Sequence, residues 1–349
     1  MNTSSAQPLE AADDTLLADN PVLVRVWRAD SVESQHRGSW VLSDTTGQVL
    51  DGAGHLAHPT FLRSSTKSLQ ALPLFESGAA DKLHFSDAEV VLAIASHDAE
   101  EAHTRVVAAL LARLGLGVEH LRCGSEVPGN TDARFHLRAS GGEPTALHNN
   151  CSGKHAGFLA LAQHLGDPLD RYLDPESRTQ RAVRAAVLEM TGVDESELSM
   201  AIDGCSAPTF RLPLKGLATA FARVATPDGL APERRAACER MLGAVKRHPN
   251  LIAGSSKRIC TDIARASGGR LFPKIGAEAV YAVGLAGGDR AIAVKIDDGG
   301  LRALHALVIE LLGRFEFVSN AELRQLETWR GTPIRNHAGQ HVGRLEVIA

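Results

Sequence analysis

The stretch AVYAVGLAGGDRAIAVKID, residues 279–297, decides the fold class of this 349-residue chain. Two β-rich runs, AVYAVGL and AIAVKID, flank the short connection AGGDR, and its Gly-Gly pair is typical of a hairpin turn. Shortly after it in the chain, LRALHALVIELLGRF (301–315) repeats apolar residues at a helical period. The stretch therefore predicts an antiparallel hairpin followed by a long amphipathic helix.

The N-terminal part of the chain has strand patterns as well. VLVRVW (22–27) alternates apolar and polar residues, and SWVLSD (39–44) followed by TTGQVLDG (45–52) contains a second hairpin signal. Six stretches between these ends follow a helical period, several of them after a Ser or Asp cap. They are SLQALPLFESGA, SDAEVVLAIAS, HTRVVAALLARLGL, GFLALAQHLG, SRTQRAVRAAVLEMTG and LKGLATAFARVA.

Strands at both ends with helices between them predict an α+β fold. In it, an antiparallel sheet is built from both chain ends, helices pack on the sheet, and a mostly helical subdomain is inserted. We expect residues 1–20, which are polar and acidic, to form a flexible tail. Residues 21–349 are expected to form a single catalytic domain, with β-rich parts at 21–63 and 270–349 and a helical part at 64–269.

Composition excludes several classes of protein. The formal net charge is -4 and no basic stripe occurs, so no nucleic-acid partner is expected. No stretch reaches the roughly 18 apolar residues of a membrane span, and the first twenty residues lack a secretory signal, which predicts a cytoplasmic protein without a membrane partner. The 5 cysteines are an odd, scattered set, which indicates free thiols rather than a disulfide framework.

The segment RSSTKS contains Ser64 three residues before Lys67 at the predicted start of a helix. This Ser-x-x-Lys spacing places both side chains on one face, where a neutral lysine can accept the proton of a serine nucleophile. Alone, the pair more often marks a helix cap followed by a solvated lysine. Two three-residue motifs, Ser96-His97-Asp98 and Lys274-Ile275-Gly276, follow it in the order found in penicillin-recognising serine enzymes. Asp98 and Ile275 depart from that pattern.

A second cluster of reactive side chains lies in HNNCSGKHAG (148–157). Cys151 precedes Lys154 by three residues, and Cys205 follows about fifty residues later in DGCSAPTF (203–210). Two thiols can bind a soft metal ion such as Zn²⁺, although the spacing alone favours two buried thiols. On chemistry alone, the usual third ligand would be His155.

Seven stretches together resemble the rhizobial-type L-asparaginases, the family called asparaginase II, in unbroken order from about residue 22 to the C-terminus. The two most specific are CSGKHAG and DGCSAP, which are longer than any generic motif. The seven are VESQHRG (32–38), RSSTKSLQALPL (63–74), IASHDAEEAHT (94–104), HNNCSGKHAGF (148–158), DGCSAPTF (203–210), HPNLIAG (248–254) and KIGAEAVYAVGL (274–285).

This resemblance implies a fold like that of serine β-lactamases and glutaminases, a homodimer, and a specific set of site residues. The implied catalytic groups are two Ser-Lys tandems, Ser64 with Lys67 and Ser96 with Lys274. The implied zinc ligands are Cys151, Lys154 and Cys205, so that Lys154 replaces His155. The implied substrate-binding residues are Arg63, Asp203, as partner of the α-ammonium group, and Cys260.

The predicted function is hydrolysis of L-asparagine to L-aspartate and ammonia through a serine acyl-enzyme, with zinc as cofactor. Ser64 is the expected nucleophile because the helical spacing supplies its base locally. Three alternatives stay open. They are a penicillin-recognising-type serine hydrolase (β-lactamase, peptidase or esterase), a glutaminase on the same scaffold, and a non-catalytic zinc-binding protein.

Overall fold

The computed structural model describes residues 19–349. The predicted flexible tail lies outside the described residues, apart from its last two positions. Asn20 is buried; its side-chain amide donates to Asp297 at 3.1 Å, and its side-chain oxygen accepts from the Ser39 hydroxyl at 3.1 Å. These bonds mean that the packed chain begins before the predicted boundary at residue 21.

Eight of the described strands form one large sheet and the other three form a small one. The described strands are β1 (Val22–Arg28), β2 (Ser31–Asp44), β3 (Val49–Ala53), β4 (Pro59–Phe61), β5 (Ser199–Ile202), β6 (Pro208–Pro213), β7 (Leu271–Gly276), β8 (Val280–Leu285), β9 (Arg290–Ile296), β10 (Ile334–Arg335) and β11 (His341–Val347). The large sheet has the order β10-β11-β1-β2-β9-β8-β7, with β3 paired to β2, and its pairs are antiparallel.

Both chain ends meet in this large sheet. Strand β1 pairs with β11, so that Val24 lies opposite Val347, and β2 pairs with β9. The predicted α+β class with a sheet built from both ends is therefore confirmed.

The helices of residues 19–349 are mostly in the middle of the chain. They are α1 (Lys67–Glu76), α2 (Ala79–Lys82), α3 (Asp87–Ile94), α4 (Glu101–Arg113), α5 (Thr131–Ala139), α6 (Ser152–Leu165), α7 (Arg178–Thr191), α8 (Leu214–Ala225), α9 (Pro232–Arg247), α10 (Ile259–Ala266), α11 (Leu301–Arg314) and α12 (Asn320–Gln325). None of these described helices is long and apolar enough to cross a bilayer.

The six stretches with a helical period fall on α1, α3, α4, α6, α7 and α8, and the helix predicted behind the hairpin is α11. The sequence analysis missed α5 and α9. Helix α5 has no buried residue, so it carries no apolar stripe. Helix α9 is strongly polar overall and buries mainly small side chains such as Ala237 and Ala244.

The small sheet was not expected, because two of its strands, β5 and β6, lie in the part of the chain predicted to be helical. The sheet has the order β4-β6-β5, and Ser199 pairs with Arg211 while Phe61 also pairs with Arg211 from the other side. These strands are only 3 to 6 residues long, too short for a clear alternation. The turn between β5 and β6 carries the DGCSA motif, so the small sheet positions Asp203 and Cys205.

The predicted hairpin forms the centre of the large sheet. In β8 and β9, Leu285 pairs with Arg290, and consecutive residues of both strands are buried. Successive side chains point to opposite faces, so both faces of these strands are covered. Helix α8 packs closely against β8 at Gly284. A Cβ atom at this position would lie 2.5 Å from the carbonyl oxygen of Phe221 in α8, so a side chain would not fit. Buried apolar side chains of the sheet and of the helical part belong to one cluster, while the single-domain boundary stays a prediction.

Candidate active site

A cavity of about 800 Å³ gathers most of the predicted site residues. Its wall combines the end of β7 with loops of the helical part. The predicted residues that line it are Arg63, Ser64, Ser96, Cys151, Asp203 and Cys205. The three predicted lysines lie behind this wall and are almost completely buried, with exposures of 1% for Lys67, 3% for Lys154 and 1% for Lys274.

Ser64 lies in a short 3₁₀ helix, Arg63–Thr66, and α1 begins only at Lys67. The helix start is therefore tighter than the α-helix that the periodicity predicts. Arg63 has a φ of 51°, a left-handed conformation that a residue with a side chain rarely adopts and that an α-helix excludes. Residues three apart in a 3₁₀ helix still share one side, so Ser64 and Lys67 keep the predicted common face.

Strand β7 approaches this serine turn very closely, and Gly276 makes the approach possible. A Cβ atom at this position would lie 2.7 Å from the carbonyl oxygen of Leu62 and 3.1 Å from the backbone nitrogen of Ser65. Any side chain here would push the strand away from the turn. Gly276 therefore keeps Lys274, two residues earlier on β7, close to the serine.

The ammonium group of Lys67 is surrounded by oxygen acceptors. It donates to the carbonyl oxygen of Ala95 at 2.6 Å, the hydroxyl oxygen of Ser96 at 3.0 Å and the carbonyl oxygen of Asn150 at 3.3 Å. Within residues 19–349, the Ser64 hydroxyl makes no hydrogen bond of its own. The hydroxyl that Lys67 contacts is thus that of Ser96, which belongs to the other predicted tandem.

Lys274 contacts the same hydroxyl. Its amino group lies 2.7 Å from Oγ of Ser96 and 3.0 Å from the carbonyl oxygen of Ile275. Burial lowers the pKa of Lys274 to about 7, and the positive charge of Lys67 contributes to the shift. Lys67, Ser96 and Lys274 thus form a continuous lysine–serine chain, in which Lys274 is partly neutral at neutral pH.

Cys151, Lys154 and Cys205 also meet, and together we call them the thiol cluster. The Lys154 amino group lies 3.2 Å from Sγ of Cys205, and Sγ of Cys151 lies 3.1 Å from the side-chain oxygen of Asn150. The hydrogen bond from Cys205 holds the pKa of Cys151 well below its usual value, although burial opposes this. Burial alone would lower the pKa of Lys154, but the adjacent sulfur atoms outweigh it and raise this pKa.

His155 takes no part in the thiol cluster. Its Nδ1 lies 2.7 Å from the hydroxyl of Tyr172, and burial holds its pKa well below the usual range. The three residues that the family resemblance implies as zinc ligands thus lie together and His155 lies apart from them, while zinc binding stays a prediction.

Arg63 and Asp203 form an ion pair at the cavity wall. Both Nε and a terminal nitrogen of Arg63 lie 2.8 Å from Oδ1 of Asp203, which also accepts from the backbone N–H of Gly204. The predicted position of Arg63 beside Ser64 follows directly from the chain. Asp203 is already neutralised by Arg63, which bears on its predicted role toward an α-ammonium group.

Cys260 is buried and does not belong to the described cavity wall. It lies beside Tyr281, whose pKa is raised first by burial and then by the proximity of Cys260. Cys260 is also close to Lys274 and opposes the lowering of the lysine's pKa. Cys260 is therefore close to Lys274 but does not line the cavity, whereas the resemblance implied a position close to the substrate.

Sequence reasoning missed three cavity residues, Glu126, Asn150 and Arg258. One oxygen of Glu126 accepts from the backbone N–H of Asn150 at 2.9 Å and from its side-chain amide at 2.8 Å. Arg258 donates to the carbonyl oxygen of Ser96 at 2.8 Å. Asn150 stands in the quoted stretch HNNCSG, which could have drawn attention to it. No pattern in the sequence singles out Glu126 or Arg258.

The sequence analysis also missed a group of potential metal ligands close to Ser96 along the chain. Ligand atoms of Asp98, Glu100 and His103 lie within 4.8 Å of one another. One carboxylate oxygen of Glu100 is already engaged, because it accepts from Asn130 and from Ser255. The positive charge of Arg258 also acts on Asp98 and disfavours a cation there. Within residues 19–349, Oδ1 of Asp98 and both ring nitrogens of His103 are buried without a hydrogen-bond partner.

Comparison with solved structures gives distant similarities. A beta-lactamase from Mycobacterium bovis matches with 15% sequence identity and a TM-score of 0.39, over 86% of this chain and 98% of that chain. Mglu in its tris and glutamate form matches with 16% identity and a TM-score of 0.39, over 87% of this chain and 64% of that longer chain. The simvastatin synthase LovD of Aspergillus terreus matches with 9% identity and a TM-score of 0.35, over 83% and 91% of the two chains.

Comparison with curated protein sequences gives no match. The family profile described as L-asparaginase II matches residues 24–347, which is nearly the whole chain. The resemblance seen in the seven sequence stretches is thereby confirmed. This chain belongs to the L-asparaginase II family and is a hydrolase that acts on amides.

Proposed function

We propose that the protein hydrolyses L-asparagine to L-aspartate and ammonia through a serine acyl-enzyme. The choice of asparagine rests on membership of the family. The observation that carries the serine mechanism is the Ser96 hydroxyl between the amino groups of Lys67 and Lys274, in the same cavity as the unbonded hydroxyl of Ser64.

In this proposal Ser64 is the nucleophile. Its hydroxyl faces the cavity without a competing hydrogen bond, and its oxygen attacks the side-chain amide carbon of asparagine. The C–N bond then breaks, ammonia leaves with a proton from the lysine–serine chain, and an ester to Ser64 remains. Water hydrolyses the ester and releases aspartate.

A backbone donor is also available for the negative charge that develops on the amide oxygen. The Ser65 N–H already donates to the carbonyl oxygen of Leu62, so the N–H of Ser64 itself is the candidate donor at this turn. The left-handed conformation of Arg63 sets the direction of that N–H.

The lysine–serine chain supplies both the base and the returning proton. Lys67 donates to three oxygen acceptors, an arrangement that suits an ammonium group, whereas burial and the charge of Lys67 lower the pKa of Lys274 to about 7. We propose that Lys67 passes a proton through Ser96 to neutral Lys274 and then accepts the proton of Ser64. The same path in reverse delivers a proton to ammonia.

The thiol cluster fits a zinc ion by the chemistry of its donors. Cys151 and Cys205 offer two sulfur atoms at the cavity wall, and Lys154 offers a nitrogen behind them, so one position remains open toward the cavity. Lys154 must lose its proton to act as a ligand, so zinc binding would release protons. When bound, zinc would supply a positive charge that helps to position the substrate. A homodimer and a cytoplasmic location stay predictions.

The test is steady-state release of ammonia from L-asparagine and L-glutamine by one purified sample, with nitrocefin hydrolysis measured beside it. We expect asparagine to be preferred by roughly 100-fold, because one extra methylene displaces the amide from the nucleophile. Comparable efficiency on both amides would favour the glutaminase alternative. Nitrocefin hydrolysis without ammonia release would favour a penicillin-recognising-type enzyme, and bound zinc without any turnover would favour a binding protein.

A further inference from the structure

The charged groups of the cavity wall differ in whether they have a partner. Arg63 and Asp203 neutralise each other through two contacts of 2.8 Å. Glu126 and Arg258 also line the cavity, yet neither forms an ion pair within the described part of the chain. Two more carboxyl groups line the cavity, but Asp98 lies 3.8 Å from Nδ1 of His103 and Glu278 is exposed. Glu126 and Arg258 are therefore the half-buried, unpaired carboxylate and guanidinium group that the wall offers to a ligand.

Glu126 is held in a fixed orientation. One of its oxygens, Oε2, accepts two hydrogen bonds from Asn150, at 2.9 and 2.8 Å, and in residues 19–349 the other oxygen accepts none. Asn150 in turn contacts Lys67 through its carbonyl oxygen and Cys151 through its side-chain oxygen. Glu126 is thus one residue removed from both the lysine–serine chain and the thiol cluster.

Arg258 lies between Ser96 and the loop that carries Glu126 and Gly129. One terminal nitrogen donates to the carbonyl oxygen of Ser96 at 2.8 Å, and the other lies 3.9 Å from the position of a Cβ atom on Gly129. The carboxyl group of Asp98 is close enough to feel this charge, but it forms no ion pair with Arg258, and burial raises its pKa to about 6. Arg258 therefore keeps donors for an anionic ligand.

We propose that Arg258 binds the α-carboxylate of the substrate and that Glu126 binds its α-ammonium group. The pair is a subsite for the head group of an amino acid, and this assignment rests on the proposed asparaginase function. It transfers the ammonium contact from Asp203 to Glu126, because Asp203 is already paired with Arg63. A guanidinium group suits a carboxylate, since both are planar and can share two hydrogen bonds.

The subsite also explains why the length of the side chain would matter. A head group held at both charges fixes the Cα atom, and the amide carbon then reaches Ser64 only at one side-chain length. Asparagine and glutamine differ in this length by one methylene group. Glu126 and Arg258 would therefore set the specificity without touching the amide.

The experiment combines two enzyme variants with two truncated substrates. β-Alaninamide is asparagine without its α-carboxylate, and succinamate is asparagine without its α-amino group. We expect Arg258→Gln to lower kcat/KM on asparagine by roughly 10- to 100-fold but to leave β-alaninamide almost unaffected. Glu126→Gln should do the same for asparagine and leave succinamate almost unaffected. Arg258→Lys should keep part of the discrimination.

Matched controls are Arg265→Gln on α10, the helix that begins directly after Arg258, and Glu143→Gln at an exposed position. Both should keep wild-type kinetics on all three substrates. Variants that still discriminate like the wild type would overturn the subsite, and so would an Asp203→Asn variant that alone stops discriminating against succinamate. A wild-type enzyme without activity on asparagine would instead contradict the proposed function.

Discussion

The lysine–serine chain and the thiol cluster each contain a buried lysine, yet the two lysines are shifted in opposite directions. Lys274 is 1% exposed and burial lowers its pKa to about 7, whereas Lys154 is 3% exposed and its pKa is raised. Burial disfavours the ammonium form in both places. The difference arises from the neighbours, because Lys274 faces the cation Lys67 and Lys154 faces the sulfur atoms of Cys151 and Cys205.

This comparison shows that burial alone does not determine what a lysine can do. A second cation leaves Lys274 ready to accept a proton near neutral pH. The adjacent sulfur atoms favour the charged form of Lys154, so in the proposed zinc site a metal ion would have to replace its proton. We therefore expect changes in the chain to affect bond breaking and changes in the cluster to affect metal content and substrate affinity.

The largest effect is expected for Ser64→Ala. If Ser64 is the nucleophile, turnover should fall by roughly 10³-fold or more while the fold is retained, because members of one catalytic unit fail together. Ser140→Ala, at an exposed helix end, is the control and should keep full activity. Mass spectrometry of an acyl-enzyme trapped with a slow substrate analogue identifies the nucleophile. An adduct on the peptide that contains Ser96, and none on that of Ser64, would reverse the roles of the two serines.

Lys274→Met should lower kcat/KM by roughly 10²- to 10⁴-fold, the usual contribution of a positioned acid or base. The reason is that Lys67 would lose the partner to which it passes its proton through Ser96. Lys295→Met on β9, two strands away in the same sheet, is the matched control. Within residues 19–349 its amino group donates to the carbonyl oxygens of Glu278 and Ile296 and not to a serine. Normal steady-state rates in Lys274→Met would exclude the chain as a proton path.

Cys151→Ala and Cys205→Ala test the role of the thiol cluster. Each should lose bound zinc and raise KM by roughly tenfold or more, while kcat stays within a few-fold of the wild type. Metal analysis of the purified variants, together with their kinetics, measures both effects. Cys238→Ala removes a buried thiol outside the cavity and should change neither. Wild-type protein without zinc, or a variant with normal KM and abolished kcat, would contradict the assigned role.

The smallest effect is a dependence on pH. The neutral amine of Lys274 is required, and it exists above the pKa of about 7. We expect kcat/KM to rise about tenfold per pH unit below this value and to level off above it. Initial rates measured across this range, with the stability of the enzyme checked at each pH, test the prediction. A profile that is flat through pH 7 would show that Lys274 does not act as a base.

Much of the fold could be predicted from local patterns. The hairpin at 279–297, the amphipathic helix behind it and the N-terminal strands were evident because each satisfies its pattern within one short segment. Helix α5 could not be found in this way, since it buries no residue, nor could the short strands β5 and β6. The site residues could likewise be predicted only where a local motif contains them. Glu126 and Arg258 stand in segments without a motif, so the sequence did not indicate them.

The sequence by itself determined the chemical inventory of this protein: two serines and two lysines in the order of a known enzyme family, a set of thiols, and an antiparallel sheet formed by both chain ends. Only the tertiary structure decided which groups meet. Lys67 contacts Ser96, which is 29 positions away, and Lys274 reaches the same hydroxyl from 178 positions away. Spacing along the chain fixes contacts within a turn or a strand, whereas partners, burial and the resulting pKa values depend on long-range packing.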